Sequence, residues 1–146
     1  MQQQQYLSSN IRIDLQMSNT QQSLTLQDIY QFFQAPPVIF LNQELTVCYV
    51  LSVLLSKGES YGAELVQKLR NDHVGYRLSD TILQSSIRFL EREGMVVSYW
   101  KKPAKRGRPR RIYQVVSEKQ QKAQDLAQLW RDYIENKSSI LSQFSD

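Results

Sequence analysis

"MVVSYWKKPAKRGRPRRIYQVV", residues 95–116, decides the fold. Its ends, MVVSYW (95–100) and IYQVV (112–116), are β-branched and aromatic, as half-buried strands are. Between them, seven of the eleven residues 101–111 are Lys or Arg and none is acidic. Two prolines and a glycine break up this basic run. The stretch reads as a β-hairpin with a long basic loop, pinned by a strand at each end.

The chain of 146 residues carries a formal net charge of +4. The seven cations of the hairpin loop exceed that total, so the remainder is net negative by three. The basic character is local, which points to an element that binds a polyanion. Charge alone leaves this about even with a solvated loop or a localisation signal.

Upstream of the hairpin the period is helical. LTLQDIYQFFQ (24–34) repeats Leu26, Ile29, Tyr30 and Phe33 at helical spacing and stops at Pro36-Pro37. Asn42 caps a helix that runs to Lys57, with Gly58 as the stop. That helix is apolar nearly all round and belongs at the centre of the fold. Ser60 caps a shorter helix over 61–71, and residues 72–78 connect it onward with a short strand at 76–78. Ser79 caps a third helix, which ends at Gly94. Downstream, SEKQ (117–120) has the capping-box pattern and opens a long helix to about Phe144. Its apolar stripe is Leu126, Leu129, Trp130, Tyr133, Ile134, Ile140, Leu141 and Phe144.

This order is that of a winged helix: a helix-turn-helix followed by a hairpin wing. The expected class is mainly α with a small β-hairpin (α+β), with an extra N-terminal helix and a long C-terminal helix. The expected segments are a flexible stretch 1–23, a helix and Pro-containing linker 24–41, a winged-helix domain 42–116 and a dimerisation helix 117–146. Within the first, IRIDLQM (11–17) alternates apolar and polar residues and reads as a short extended segment docked on a partner surface.

The third helix sorts its side chains. At 100° per residue, Thr81, Gln84, Ser85, Arg88 and Arg92 share one arc of about 100°. The apolar residues lie opposite. Solvated helix faces favour Glu and Lys, whereas this stripe is Thr, Gln, Ser and Arg. Gln pairs with adenine, Arg with guanine, and Thr and Ser contact phosphates or the thymine methyl. Ser79, Thr81, Gln84, Ser85 and Arg88 are therefore the candidate DNA-reading residues. In the wing, the candidates are Lys101, Lys102, Lys105, Arg106, Gly107, Arg108, Arg110 and Arg111. RGRPR (106–110) resembles the core of an AT-hook, an extended segment that inserts Arg into a narrow minor groove.

Three stretches together resemble the PadR-like transcriptional regulators over about residues 42–144. SYGAELVQKL (60–69) matches at Tyr61, Gly62 and Glu64. LEREGMV (90–96) is similar to the family's passage from helix to wing. GRPRRIYQVVS (107–117) matches at Gly107, Arg108, Pro109 and Tyr113. The resemblance implies a homodimer joined through the C-terminal helix and repression at an inverted repeat in a promoter. TILQSSI (81–87) departs from the family's usual Gly-Thr-Leu-Tyr-Pro-Ala-Leu, with Gln84 for Tyr and Ser85 for Pro. The family's base contacts are therefore not carried over.

Other classes fit less well. His73 is the only histidine and sits in a connector; no paired carboxylates, nucleophile elbow, phosphate loop or metal-ligand spacing is present, so no catalytic residue, metal or cofactor is expected. Cys48 is the one cysteine and reads as a core residue of a reduced, cytoplasmic protein. The longest nearly apolar run, 45–55, is short of the roughly 20 residues that cross a bilayer. A protein–protein adaptor is the rival to the DNA-binding reading. No sequence feature points to a small-molecule effector.

Overall fold

The computed structural model describes the backbone of residues 23–144 and the side chains of residues 23–137. The segment 11–17, and all but the last residue of 1–23, lie outside the described residues. The chain divides into two compact units, Met1–Pro37 and Val38–Asp146. In the first, Thr25 and Asp28 form a capping box that starts helix α1 (Leu26–Gln34).

The second unit holds the winged helix, in the order β1 (Ile39–Phe40), α2 (Gln43–Lys57), β2 (Ser60–Tyr61), α3 (Gly62–Asp72), β3 (Tyr76–Arg77), α4 (Asp80–Arg92), β4 (Val96–Lys101), β5 (Arg110–Val115) and α5 (Gln120–Phe144). The Asn42 side chain accepts the Leu45 amide at 2.8 Å and so starts α2. Gly58 stops that helix with φ 92°, a conformation that costs other residues steric strain. Val50, Leu51 and Leu54 of α2 are fully buried, as are Leu65, Leu69, Leu83 and Leu90 from α3 and α4. Each such side chain contributes about 1.5–3 kcal/mol of transfer free energy. Inside this core the Tyr49 hydroxyl donates to the Leu65 carbonyl at 2.7 Å, and burial pushes its pKa up.

Several elements differ from the sequence expectation. Ser60 does not cap α3. It pairs with Tyr113 in β2, a third strand on the outer side of β5, and Tyr61 takes the N-cap position. Ser60 instead donates its hydroxyl to Glu64 at 2.7 Å. Two residues hold too little alternation to mark a strand, so β2 has no sequence signal. The same is true of β1, which pairs in parallel with β3. The hairpin strands reach further into the basic run than expected, since Lys101 pairs with Arg110 and Trp100 with Arg111. The free loop is therefore residues 102–109. At 117–120 a 3₁₀ turn (Ser117–Lys119) precedes α5, with the Lys119 amide on the Val116 carbonyl at 2.9 Å. That turn replaces the expected capping box.

The stripe of α5 also lies differently. Ala123, Ala127 and Trp130 are buried within this one chain. Trp130, expected on a dimer seam, meets the Tyr49 ring edge-on at 5.3 Å and His73 at 5.6 Å. Leu126, Tyr133 and Ile134 are half-buried against the same core, while Leu129 is exposed. Helix α2 alone leaves too much apolar surface uncovered, and α5 is the element that covers it. The side chains of Ile140, Leu141 and Phe144 lie outside the described ones.

Candidate nucleic-acid interface

Helix α4 begins at Ser79, whose hydroxyl accepts the Ile82 amide at 3.2 Å. That oxygen caps the helix. Leu83, Ser86, Ile87 and Leu90 are buried, which turns Thr81, Gln84, Arg88 and Arg92 outward, all exposed. Ser85 is half-buried and donates to the Ile82 carbonyl at 3.1 Å. The acid-free stripe thus stands as one exposed face. Gly62 of α3 packs beside it: a methyl on Gly62 would lie 3.6 Å from Leu83 Cδ2 and 3.8 Å from Gln84 Nε2.

The wing is built on the β4–β5 ladder, and every residue from Lys101 to Arg111 is exposed. Gly107 has φ 149°, and a Cβ there would sit 3.3 Å from Pro103 Cγ. Only glycine takes this conformation at low cost. The loop therefore folds back on its own proline.

Two carboxylates, neither marked by any local sequence signal, anchor the strand ends. Glu59 accepts the Tyr99 hydroxyl at 2.6 Å and Lys101 Nζ at 3.3 Å. These bonds, the Tyr99 hydroxyl foremost, hold the Glu59 carboxyl below its ordinary pKa and raise that of Tyr99. Glu91, near the end of α4, accepts Ser98 Oγ at 3.2 Å and an Arg111 amine at 3.4 Å. Arg111 Nε donates to Ser98 Oγ at 2.9 Å, which closes a three-membered network between α4 and the wing. Arg110 lies over the Tyr61 ring, 4.3 Å from its centroid. Of the expected wing cations, Lys101 and Arg111 are thus tied to carboxylates. Lys102, Lys105, Arg106 and Arg108 have none within ion-pair distance among the described residues.

Among the described residues no group of three or more His, Cys, Asp and Glu side chains converges as metal ligands, and no helix is long and apolar enough to cross a membrane.

The arrangement has relatives of known structure. The circadian clock associated protein Pex from Anabaena is 54% identical, with a TM-score of 0.71; the match covers 79% of this chain and 99% of that one. Pex from Synechococcus sp. strain PCC 7942 is 50% identical, also at a TM-score of 0.71, over 76% of this chain and 98% of that one. A Streptococcus mutans UA159 protein, at 21% identity, a TM-score of 0.54 and 74% of this chain and 93% of that one, shares the fold. No curated protein sequence matches. The family model for the transcriptional regulator PadR-like family matches residues 50–124, from within α2 through the wing to the start of α5. The chain belongs to the PadR-like family of transcriptional regulators.

Proposed function

We propose that the chain binds specific sites in double-stranded DNA as a homodimer and represses a promoter from there. The observation that carries this reading is the exposed, acid-free face of α4 beside a basic wing held on paired strands. Gln84 and Arg88 read base edges in the major groove, and Thr81 and Ser85 contact the backbone or a thymine methyl. Arg106 and Arg108 enter the adjacent minor groove, and Lys102 and Lys105 meet phosphates. The second half of α5 and the exposed Leu129 provide the seam between two copies, which places two recognition helices about 34 Å apart. One of the similar structures is that of a circadian clock associated protein, and the regulated promoter is accordingly that of a clock gene. The protein works in the cytoplasm, at the nucleoid, and no small-molecule effector is part of this reading.

Selection from a random duplex library, followed by gel-shift titration against salt, tests the reading. A preferred inverted repeat is expected. The logarithm of the binding constant should fall by ~0.9 per log unit of salt for each phosphate neutralised. No preferred site and a slope near zero would favour a protein–protein adaptor. One observation favours that second reading: Val97 and Tyr99, two residues apart and so on one face of β4, are 51% and 38% exposed.

A further inference from the structure

At the root of the wing, a cleft of about 440 Å³ opens between the start of α3 and the strand ends. Tyr61, Lys102, Pro103, Ala104 and Arg110 line its mouth. Four cations and two carboxylates border it. Both carboxylates are engaged: Glu64 accepts Lys57 Nζ at 3.0 Å and the Ser60 hydroxyl, and Glu59 accepts Lys101 and Tyr99. Lys102 and Arg110 have no carboxylate partner among the described residues, so the cleft keeps two cations for an anion from outside.

Arg110 is presented in a particular way. Its guanidinium carbon stands over the Tyr61 ring, 4.3 Å from the centroid. A stacked guanidinium keeps its N–H groups free around its edge, where they meet two oxygens of one phosphate. Arg110 is fixed by its pairing with Lys101, and Tyr61 by its pairing with Ile112. The stacked pair therefore belongs to the sheet, and the start of the loop adds Lys102 beside it. Its position suits a duplex. Tyr61 adjoins Gly62, and Gly62 packs against Gln84 of α4. The cleft lies between a base-reading side chain and the wing, and in B-DNA the ridge between major and minor grooves is a line of phosphates.

We propose that this cleft seats one phosphodiester of the duplex backbone, with Arg110 as its bidentate donor, Lys102 as the second cation and Tyr61 as the platform that orients Arg110. The proposal rests on the DNA-binding reading above and adds Tyr61 as a positioning residue.

Single neutral methylphosphonates, placed one at a time through the selected duplex, test it. One position should cost the wild type about tenfold in affinity and Arg110→Ala less than twofold, because the variant has already lost that contact. Arg110→Ala should also reduce the salt slope by about 1 and weaken all sequences alike. Tyr61→Phe keeps the ring and should bind as wild type does, whereas Tyr61→Leu should approach Arg110→Ala. Circular dichroism confirms that each variant is folded. If the wild type binds its site specifically and no position shows this dependence on Arg110, the cleft is no phosphate seat and the DNA reading stands. If the wild type has no specific site, the parent reading fails first. A free phosphate ester is the other source of the same chemistry. ADP or inorganic phosphate that shifts the Tyr61 and Arg110 amide resonances, which then stay unchanged on adding duplex, would assign the cleft to a soluble anion and overturn the proposal.

Discussion

The cations in the wing's loop and those at its strand ends are the same residue types a few positions apart, yet their surroundings differ. Lys101 and Arg111 sit on the ladder and are tied to Glu59 and Glu91. Arg106 and Arg108 sit in the loop, exposed, with no carboxylate near them among the described residues. A cation already paired with a carboxylate loses that partner when it takes a phosphate, so its net gain on DNA is small. A solvated one releases counterions from the duplex and keeps the whole gain. The difference divides one basic run into a part that holds the wing in place and a part that grips.

The loop yields the largest expected effect. Replacing Arg106 and Arg108 together by Ala should lower duplex affinity about a hundredfold and reduce the salt slope by about 2. Stability should change by no more than about 0.5 kcal/mol, since neither side chain packs on the core. Gel-shift titration at several salt concentrations and a chemical denaturation curve measure the two quantities. A variant that unfolds more readily while keeping its salt slope would make the loop structural and erase the contrast.

The strand end makes a prediction about sign. Glu91 joins α4 to the wing through Ser98 and Arg111, and the pair is partly exposed, with side chains 28% and 47% accessible. Such pairs stabilise by about 0–1 kcal/mol, so the expected role is to fix the angle between reading helix and wing. Glu91→Ala and Arg111→Ala should each weaken binding about fivefold, and the double variant no further, as coupled neighbours do. If Arg111 instead contacts DNA directly, removing Glu91 frees it and binding tightens. A rise in affinity for Glu91→Ala therefore reverses the assignment.

This contrast was only half legible in the sequence. The helix starts at Asn42 and Ser79 and the stop at Gly58 are local signals, because a cap and its amide lie three residues apart. The exposed stripe of α4 follows from helical period. The partners of the strand-end cations do not, since Glu59 is 42 residues from Lys101 and Glu91 is 20 from Arg111. Only the register of the sheet brings them together. The reach of the ladder was hidden too: Lys and Arg are poor strand markers, so Lys101, Arg110 and Arg111 read as loop until β4 and β5 are paired. Trp130 misled for a related reason. Period places it on an apolar stripe but cannot say whether this chain or another copy covers it. Here Tyr49 and His73 do.

The smallest expected effect concerns the Glu59 anchor and is read by pH. The Glu59 carboxyl is held below its ordinary 4.5, first by the Tyr99 hydroxyl and then by Lys101. A group whose folded pKa is lowered contributes stability above its unfolded value, and that contribution disappears as pH falls through the folded value. The anchor is therefore closed at neutral pH and opens only below 4.5. A carboxyl-carbon NMR titration should place the Glu59 midpoint under that value, with the Tyr99 ring resonances moving in step. In Glu59→Gln the Tyr99 transition should vanish. A Glu59 midpoint at or above 4.5, or a Tyr99 transition that survives the substitution, would mean that Lys101 is as free as the arginines of the loop. Lys101 would then belong with the gripping cations, and Arg111 alone would hold the wing in place.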